Sequence, residues 1–309
     1  MSESLVVYLP GDPGERFLSA LRAELAASVE LVRESDRDHR ILVRGVVGPE
    51  DLAASTRAVI IPYAGVPKRT RETLADRPDI ALHNLHHNAA PTAETAVALL
   101  LAAARRIVPI DRAMRELDWR PRYDEGSRDP LLSGKRALVL GFGEIGRRVA
   151  VACEALGMEV TAIRRGESGS LPDLLPRAHA VVVCLPLTPE TEGILGAEQL
   201  ARLPDQAVVV NVGRGPIIDE QALYEELRAG RLRAGLDVWY QYPTDESSRA
   251  ATQPSRFPYH ELENVVLSPH RAGHCAETEQ LRATHLAAML NAAARGEEMP
   301  FRVDPERGY

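Results

Sequence analysis

Two side chains that can act on protons and anions follow apolar runs in the second half of the chain. Arg214 lies between Gly213 and Gly215 in the segment NVGRG, and His270 follows the segment LSP. A charged residue in a loop at the carboxyl end of a parallel sheet points toward the ligand crevice, and an imidazole exchanges protons near neutral pH. An arginine in a turn is also typical of a surface ion pair, and a histidine after a strand is often structural. These two residues alone therefore leave the question open.

A glycine-rich segment, GFGEIG, precedes both residues and fits the pattern G-x-G-x-x-G. It follows the apolar run RALVL and opens the helical run EIGRRVAVACEALG, which is the context in which this pattern binds a dinucleotide. The glycines permit a tight turn, close approach of a pyrophosphate, and close packing of the helix on the strand. The alternative is a strand-to-helix turn without a ligand. The predicted cofactor contacts are Gly141, Phe142, Gly143, Glu144, Ile145 and Gly146.

Two arginines indicate which dinucleotide is bound. The strand EVTAIRR ends in Arg164 and Arg165, at the place where a carboxylate would bind the ribose 2′-hydroxyl of NAD. A guanidinium can instead bind a 2′-phosphate through two parallel hydrogen bonds. The pair therefore favours NADP(H), with NAD as the second possibility. A solvated basic pair on a loop is the alternative interpretation.

Apolar runs in both halves predict the elements that position these residues. The runs are rich in Val, Ile and Leu without polar alternation: SLVVYLP, RILVRG, AVIIPYAG, DIALHNL, RALVLGFG, EVTAIRR, AVVVCLP, AVVVNVG, AGLDVW and NVVLSPH. Strands of this kind are covered on both faces, and helical stretches such as ERFLSALRAELAAS separate them. We therefore predict an α/β protein with two doubly wound parallel-sheet domains.

Two long helical runs predict how these domains are joined. One extends from Thr92 to Leu117, where Pro109 is expected to kink or split it, and the other, AETEQLRATHLAAMLNAAARG, comes near the end. A domain inserted between the two helices explains this arrangement. We predict a discontinuous substrate-binding domain over residues 1–104 and 278–309, and a dinucleotide-binding domain over residues 105–277.

Composition limits the classes of partner and location. The chain has 309 residues and a formal net charge of −7, so we expect neither nucleic acid nor a membrane as a partner. The start MSESLVVYLP lacks the regions of a signal peptide, and the longest apolar run, AVALLLAAA, is far shorter than the ~20 residues that span a bilayer. The three cysteines form no C-x-x-C pair, which is typical of reduced thiols in a cytoplasmic protein, and we expect no metal site.

Several further segments accompany the glycine-rich one in a fixed order. They are GKRALVLGFGEIG, LPLTPETEGIL, VVVNVGRGPIIDEQAL, GLDV and LSPHRAGH, between Gly134 and His274. By their order and spacing the chain resembles the D-isomer-specific 2-hydroxyacid dehydrogenases. In the first half, IPYAGV is similar to that family's substrate-binding loop, and APTAETAVALLLAAARR is similar to its first crossing helix. The resemblance implies a flavodoxin-like substrate domain, an inserted Rossmann domain, a homodimer, and a small 2-oxo acid as substrate.

The resemblance also implies a role for each matching residue. Arg214 would anchor the substrate carboxylate and polarise the ketone, and His270 would protonate the alkoxide that forms when a hydride reaches the carbonyl carbon. Asp237 corresponds to an acid near the nicotinamide carboxamide. Further cofactor contacts are implied for Leu185, Pro186, Val212 and Gly213, and further substrate contacts for Tyr63, Ala64, Gly65 and Val66.

One position departs from the family pattern. Five residues beyond Asp237 the family usually has Glu, which pairs with the histidine and raises its pKa, and this chain has Tyr242. A neutral phenol cannot supply that charge, so the histidine would lose its proton at a lower pH. Asp245 or Glu246 can reach back as the acid, Tyr242 or Gln241 can orient the imidazole, or the reaction can be lost. We expect retained catalysis with an altered pH profile.

The leading hypothesis from the sequence is an NADPH-dependent 2-oxo acid reductase. One alternative is a corepressor-like protein that binds dinucleotide without turnover, which the missing acid motivates. Another is a formate-type dehydrogenase, in which no alkoxide needs a proton. His274 is a cleft-lining candidate. His86 and His87 are candidates near the substrate, although their segment HHNA is equally consistent with a polar loop.

Overall fold

Strands in the described part of the chain form two six-stranded sheets. The computed structural model describes residues 4–34, 38–124, 129–164 and 166–308. Contacts divide the chain into a discontinuous unit, Met1–Asn88 with His274–Tyr309, and an inserted unit, Ala89–Gly273.

Strands and helices alternate along the chain. The strands are β1 (Leu5–Tyr8), β2 (Val29–Val32), β3 (Ile41–Val43), β4 (Ala58–Ile61), β5 (Ala81–Asn84), β6 (Arg136–Leu140), β7 (Glu159–Ile163), β8 (Ala178–Val183), β9 (Val208–Asn211), β10 (Arg233–Leu236), β11 (Val265–Leu267) and β12 (Arg302–Val303). The α-helices are α1 (Glu15–Glu24), α2 (Lys68–Ala75), α3 (Ala89–Ala104), α4 (Ile107–Arg115), α5 (Arg120–Tyr123), α6 (Glu144–Ala155), α7 (Leu171–Leu174), α8 (Ala197–Ala201), α9 (Glu220–Arg228) and α10 (Thr278–Ala294).

The two sheets share one strand order. Among the described strands of the discontinuous unit the order is β12-β5-β4-β3-β1-β2, and of these only β12 pairs in the antiparallel sense. In the inserted unit the order is β11-β10-β9-β8-β6-β7, and every pair is parallel. The connections reverse direction between β1 and β3, and again between β6 and β8. Doubly wound sheets bind ligands outside the carboxyl ends of the strands at such points.

Apolar side chains cover both faces of the inserted sheet. Along β6, Leu138 and Leu140 pack in one core, while Ala137 and Val139 pack in the other. Fully burying a Val or Leu side chain stabilises the fold by about 1.5–3 kcal/mol. Burial on both faces explains why these strands lack polar alternation. The predicted α/β class with two doubly wound sheets is confirmed.

Each of the ten predicted strands is present, but β2 and β12 were not predicted. The segment of β2, VELV, follows a helix that we predicted to extend to Ser28 and that ends at Glu24. The last strand has two residues, which is too short to give a periodic pattern. Both strands lie at an edge of the sheet, where each pairs with a single neighbour.

The helical run from Thr92 to Leu117 is split before Pro109 rather than at it. Helix α3 ends at Ala104, Arg106 has a left-handed φ of 47°, and α4 begins at Ile107. Pro109 lies in the first turn of α4, where its missing N–H is not needed. Within the described ranges, no helix combines the length and apolar character needed to cross a membrane.

The unit boundaries also differ from those predicted. Helix α3 packs on α6, β9 and β10, so it belongs to the inserted unit, and the first boundary falls after Asn88 instead of after residue 104. The second falls after Gly273 instead of after residue 277. The close packing of α3 on the inserted sheet explains the first boundary. A Cβ added to Gly235 of β10 would lie only 2.7 Å from the Cβ of Leu99 in α3.

Candidate active site

The phosphate loop, Gly141–Gly146, joins β6 to α6 under tight steric limits. Gly141 has a φ of 95°, and a Cβ there would lie 2.9 Å from the carbonyl oxygen of Cys184. A Cβ on Gly146 would collide with the carbonyl oxygen of Gly141. Neither position accepts a side chain unless backbone atoms move, so the fold itself requires both glycines.

Gly143 differs, because a Cβ there would meet no described heavy atom within 4 Å and its φ of −83° suits any residue. It is the N-cap of α6, and no side chain of the described ranges caps that terminus. The first N–H groups of a helix carry partial positive charge and bind phosphate groups. The open space over Gly143 and the uncapped helix therefore fit the pyrophosphate of a dinucleotide.

Glu144 brings a negative charge to the first turn of α6, and two arginines partly neutralise it. Its carboxylate pairs with Arg147 and lies 2.9 Å from Nη1 of Arg148. These pairs weaken the repulsion that a phosphate would otherwise meet there. Phe142 and Ile145 are half-buried and pack against the core beneath the loop.

Arg164 places a guanidinium beside the phosphate loop. Its Cζ lies 4.9 Å from the centroid of the Phe142 ring, in a cation–π arrangement. Its backbone N–H donates to the Glu167 carboxylate at 2.8 Å. Arg165, the second predicted arginine, lies outside the described residues. An open cavity of about 420 Å³ beside this turn is lined by Thr161, Ala162, Ile163, Gly166, Glu167, Gly169, Ser170 and Leu174.

The loops after β8 and β9 lie against the phosphate loop. A Cβ on Gly213 would be 2.6 Å from the carbonyl oxygen of Leu185, and a Cβ on Gly141 would be 3.1 Å from the Leu185 nitrogen. Val212 is buried, and its N–H donates to the Val183 carbonyl at 3.1 Å. The structure thus brings the phosphate loop and Gly213 against Leu185, and the exposed Pro186 and buried Val212 are their neighbours along the chain.

Arg214 is a half-buried residue of the turn after β9, and Asn211 shapes that turn. The Asn211 side chain accepts the Gly213 N–H at 3.0 Å and donates to the Arg214 carbonyl at 2.9 Å. Nη1 of Arg214 donates to the Gly213 carbonyl at 2.7 Å. This bond uses one of the five N–H donors of a guanidinium, and a carboxylate can accept two others.

Asp237 holds the histidine loop, Ser268–Ala272, in place. The Asp237 side chain is buried, with 1% exposure. Its Oδ1 accepts the Ser268 hydroxyl and the Arg271 N–H, the latter at 2.9 Å, and its Oδ2 accepts the Ala272 N–H at 3.1 Å. The sequence predicted a cofactor contact for this carboxylate, and the structure adds these loop donors as its partners.

His270 and Tyr242 are in ring contact. His270 has a left-handed φ of 54°, a conformation that costs a residue other than glycine about 1–3 kcal/mol. Its ring centroid lies 5.3 Å from that of Tyr242, with the planes inclined by 52°. Burial raises the pKa of the Tyr242 phenol, while the Trp239 N–H and the charge of Arg214 oppose this more weakly. The structure therefore brings Tyr242 into ring contact with His270.

The carboxylates that we considered as replacement acids have partners in their own loop. Asp245 accepts the Ser247 hydroxyl at 2.6 Å and the Ser248 N–H at 2.9 Å, and these bonds lower the pKa of Asp245 to about 2. Glu246 is exposed and lies 3.5 Å from Arg249. These contacts do not support the prediction that either acid reaches back to the histidine.

Gln241 was the other candidate for orienting the imidazole. Its backbone N–H donates to the Pro254 carbonyl at 3.0 Å, which ties it to the far end of the polar segment over residues 244–258, and the residue is exposed. Tyr242, by contrast, packs its ring on His270. Among the four predicted candidates, Tyr242 therefore has the geometry of a histidine partner.

The predicted substrate loop follows β4 in the discontinuous unit. The Ala64 carbonyl accepts a hydrogen bond from the Asn84 side chain at 2.6 Å, so the loop is tied to the end of β5. Tyr63 is 39% exposed, and burial of the remainder raises the pKa of its phenol. Gly65 and Val66 complete the segment, and Val66 packs against the core of its unit.

The other predicted histidines also lie in the discontinuous unit. His86 packs its ring on Phe301, with centroids 4.8 Å apart. His87 is 7% exposed, and desolvation, with the charge of Arg282 nearby, lowers the pKa of His87 to about 4. A buried neutral histidine of this kind is typical of a core. His274 is exposed and begins the second segment of the unit.

Sequence reasoning missed three residues that shape the site. Asn211 sets the turn of Arg214, Ser268 bonds to Asp237, and Trp239 donates its indole N–H to the Ser268 carbonyl at 2.8 Å. Weak signals exist in retrospect. Asn211 is the one polar residue at the end of the run VVVN, and Ser268 directly precedes the Pro-His pair.

Comparison with known proteins covers both the motifs and the fold. The family model described as D-isomer specific 2-hydroxyacid dehydrogenase, NAD binding domain, matches residues 97–272. D-3-phosphoglycerate dehydrogenase of Mycobacterium leprae is 34% identical over 284 residues, which are 87% of this chain and 51% of that protein. Glyoxylate reductase of Korarchaeum cryptofilum is 37% identical over 233 residues, which are 70% of this chain and 66% of that protein.

One solved structure agrees over the full length of the chain. A D-isomer specific 2-hydroxyacid dehydrogenase from Xanthobacter autotrophicus, in complex with NADPH and MES, has a TM-score of 0.78 and 28% identity and covers 100% of both chains. This chain spans about half the length of the phosphoglycerate dehydrogenases that it matches. The family match includes the phosphate loop, Arg214, Asp237 and His270. The chain belongs to the D-isomer specific 2-hydroxyacid dehydrogenase family.

Proposed function

We propose that this chain transfers a hydride between NADP(H) and a small 2-oxo or 2-hydroxy acid, with Arg214 as carboxylate anchor and His270 as acid/base. The observation that carries the proposal is that Arg214 and His270 follow β9 and β11, two parallel strands of the sheet whose β6 leads into the phosphate loop. Tyr242, after β10, is in ring contact with His270. Relatives named glyoxylate reductase and D-3-phosphoglycerate dehydrogenase support the reaction class.

The side chains divide the chemistry between them. The nicotinamide, when bound, supplies or accepts the hydride at the substrate's C2. Arg214 binds the substrate carboxylate through parallel N–H donors and draws electron density from the adjacent carbonyl oxygen. During reduction, His270 as imidazolium gives its proton to the forming alkoxide oxygen. During oxidation, the neutral imidazole takes the hydroxyl proton.

The dinucleotide is held by the phosphate loop and by Leu185, Pro186, Val212 and Gly213. Asp237, beneath the histidine loop, is the acid that the family places near the nicotinamide carboxamide. Arg164 supports NADP over NAD, because its guanidinium is already beside Phe142 and can bind a 2′-phosphate. The Xanthobacter structure, which contains NADPH, supports the same choice. The Glu167 carboxylate accepts the Arg164 N–H at 2.8 Å, which fixes the turn that carries the guanidinium.

A panel of 2-oxo acids with NADPH tests the reaction. Glyoxylate, hydroxypyruvate and phenylpyruvate are mixed with the protein, and the absorbance of the reduced nicotinamide is followed. We expect turnover, and a loss in kcat/KM of about 10²–10⁴-fold in His270→Asn and about 10²–10³-fold in Arg214→Gln. Arg202→Gln is the matched control, because Arg202 is exposed and pairs with Glu198 on α8.

Two outcomes would replace the proposal. Tight NADPH binding without turnover of any oxo acid would indicate a dinucleotide-sensing binding protein. Reduction of NADP by formate, with no activity on oxo acids, would indicate a formate-type dehydrogenase.

Arg164→Ser tests the choice of cofactor. Each charge-assisted hydrogen bond to a phosphate is worth about 1.5–3 kcal/mol, so we expect kcat/KM with NADPH to fall roughly tenfold or more. The value with NADH should stay near that of the unmodified protein. A preference for NADH before the substitution would refute the assignment of Arg164.

We also propose a homodimer formed through the region of α4 and α5. Leu117, Trp119 and Tyr123 are 81%, 59% and 73% exposed, and so many large apolar side chains in one region are typical of an interface. Trp119→Asp should convert the dimer to a monomer in light scattering. Val151→Asp, on the exposed side of α6, is the control that should leave the mass unchanged.

A further inference from the structure

Tyr242 lies where the family's acid would be, and its contacts define what it does there. Its ring faces the His270 ring at 5.3 Å between centroids, inclined by 52°. Tilted aromatic pairs at such distances are attractive by about 0.5–1.5 kcal/mol. A ring packed against the imidazole restricts the angles that the imidazole can adopt.

The far end of the phenol is anchored. The Tyr242 hydroxyl oxygen accepts the backbone N–H of Trp239 at 2.9 Å. Trp239 is 5% exposed, and its indole N–H donates to the Ser268 carbonyl at 2.8 Å. One buried residue therefore links the tyrosine ring to the histidine loop. The hydroxyl oxygen accepts this bond, and the contact of Tyr242 with His270 is made by the ring.

The backbone beneath the imidazole is held separately. Asp237 bonds to Ser268, Arg271 and Ala272, on both sides of His270. These bonds stabilise the left-handed φ of 54° at His270, which an isolated chain rarely adopts.

We propose that Tyr242 is a positioning residue that orients the His270 imidazole by ring packing, in place of the charge that a carboxylate at position 242 would supply. Asp237 sets the backbone of the histidine loop, and Tyr242 sets the plane of the ring. The proposal deepens the function proposed above and rests on it, because it assigns how the acid/base is held.

Other charged groups near the histidine loop stay constant when Tyr242 is changed. They are Asp237 beneath the loop, Arg214 near the phenol, and the exposed Arg271 next in the chain. Differences in the pH profile or in the His270 titration between variants at position 242 are therefore caused by the side chain at that position.

The test compares Tyr242→Phe, Tyr242→Leu and Tyr242→Glu in the full chain. Tyr240→Phe is the matched control, because it also removes a phenol hydroxyl, two residues before Tyr242. The Tyr240 hydroxyl donates to the Ile218 carbonyl at 2.9 Å. Two measurements are made on each protein. One is the pH profile of kcat/KM for oxo-acid reduction, and the other is an NMR titration of the His270 ring, assigned with His270→Asn.

We expect Tyr242→Glu to raise the titration midpoint of His270, and the alkaline limb of the profile, by about one unit or more, because an opposite charge is introduced beside the imidazole. Tyr242→Phe should leave the midpoint in place and lower kcat about two- to tenfold, because the ring loses its anchor. Tyr242→Leu should lower kcat further, again without moving the midpoint. Tyr240→Phe should match the unmodified protein in both measurements.

An unchanged midpoint in Tyr242→Glu would show that the side chain at 242 does not meet the imidazole, and would overturn the proposal. A midpoint shifted by a full unit in Tyr242→Phe would overturn it too, because the hydroxyl and not the ring would then set the state of the histidine. The NMR titration needs no turnover. It therefore decides the question even if the oxo-acid panel refutes the proposed function.

Discussion

The phosphate loop and the histidine loop both follow strands of the inserted sheet, β6 and β11, but different forces hold them. The phosphate loop is fixed by the absence of side chains, since a Cβ at Gly141 or Gly146 would meet backbone atoms. The histidine loop is fixed by one buried carboxylate, Asp237, which accepts hydrogen bonds from both sides of His270. The phosphate loop therefore depends on steric fit, and the histidine loop depends on hydrogen bonds to a charged group. Substitutions in the two loops should therefore have different effects on stability, cofactor affinity and catalysis.

Gly146→Ala should produce the largest effect, because a Cβ there collides with the Gly141 carbonyl and the backbone must move. Forcing a group into a packed site costs about 1–3 kcal/mol or more, which corresponds to a fall of roughly 2–12 °C in the unfolding midpoint of a unit this size. NADPH affinity should fall at least about a hundredfold, because the helix N-terminus moves with the loop. Calorimetry and titration check both values, and an unchanged midpoint would contradict the steric account.

Asp237→Asn should produce the next largest effect, and it tests the electrostatic loop. The amide keeps one carbonyl oxygen and replaces the other acceptor with a donor, which opposes the backbone N–H groups. Charge-assisted bonds are worth about 1.5–3 kcal/mol each, so we expect kcat/KM to fall about a hundredfold as His270 loses its backbone conformation.

The same variant separates two roles of Asp237. If the loss lies mainly in kcat while the NADPH dissociation constant changes little, the carboxylate acts through the histidine loop. A loss confined to NADPH affinity would instead favour the cofactor contact predicted from the sequence.

The contrast between the loops also explains what the sequence could predict. The phosphate loop could be predicted because its signal is local: three glycines occur within six residues between a strand and a helix. The Asp237 bonds could not, because the carboxylate and its donors are 31 to 35 residues apart and meet only when β10 pairs with β11. The identity of Arg214 and His270 as candidates came from motifs, whereas the contact of Tyr242 with His270 needed coordinates.

The fold shows the same division. Strands such as β4, β8 and β9 were predictable because burial on both faces leaves an uninterrupted apolar run. The helix break at Arg106 was not, because a left-handed arginine is set by where α3 packs and not by local preference. Pro109, the residue that suggested a break, fits within the first turn of α4.

Gly143→Ala tests the phosphate loop at a position with open space, and we expect a smaller effect than in Gly146→Ala or Asp237→Asn. A Cβ at this position meets no described atom within 4 Å, so stability should change by less than about 0.5 kcal/mol. A bound pyrophosphate would lie over the same space, so the NADPH dissociation constant should rise about tenfold, or 1.4 kcal/mol. Gly146→Ala is the contrast, because it affects both quantities. Equal affinity in Gly143→Ala and the unmodified protein would place the pyrophosphate elsewhere.

Ser268→Ala should produce the smallest effect, and it tests one of the three hydrogen bonds from the histidine loop to Asp237. The variant removes the hydroxyl that Asp237 Oδ1 accepts and keeps the Arg271 and Ala272 N–H bonds, so His270 should retain its left-handed backbone. One hydrogen bond to a charged group that keeps other donors contributes about 1 kcal/mol, so kcat/KM should fall roughly fivefold with NADPH affinity unchanged. Steady-state kinetics beside Asp237→Asn measures the ratio. If Ser268→Ala lost as much activity as Asp237→Asn, the hydroxyl alone would hold the loop, and the two backbone bonds would be consequences of its position rather than causes.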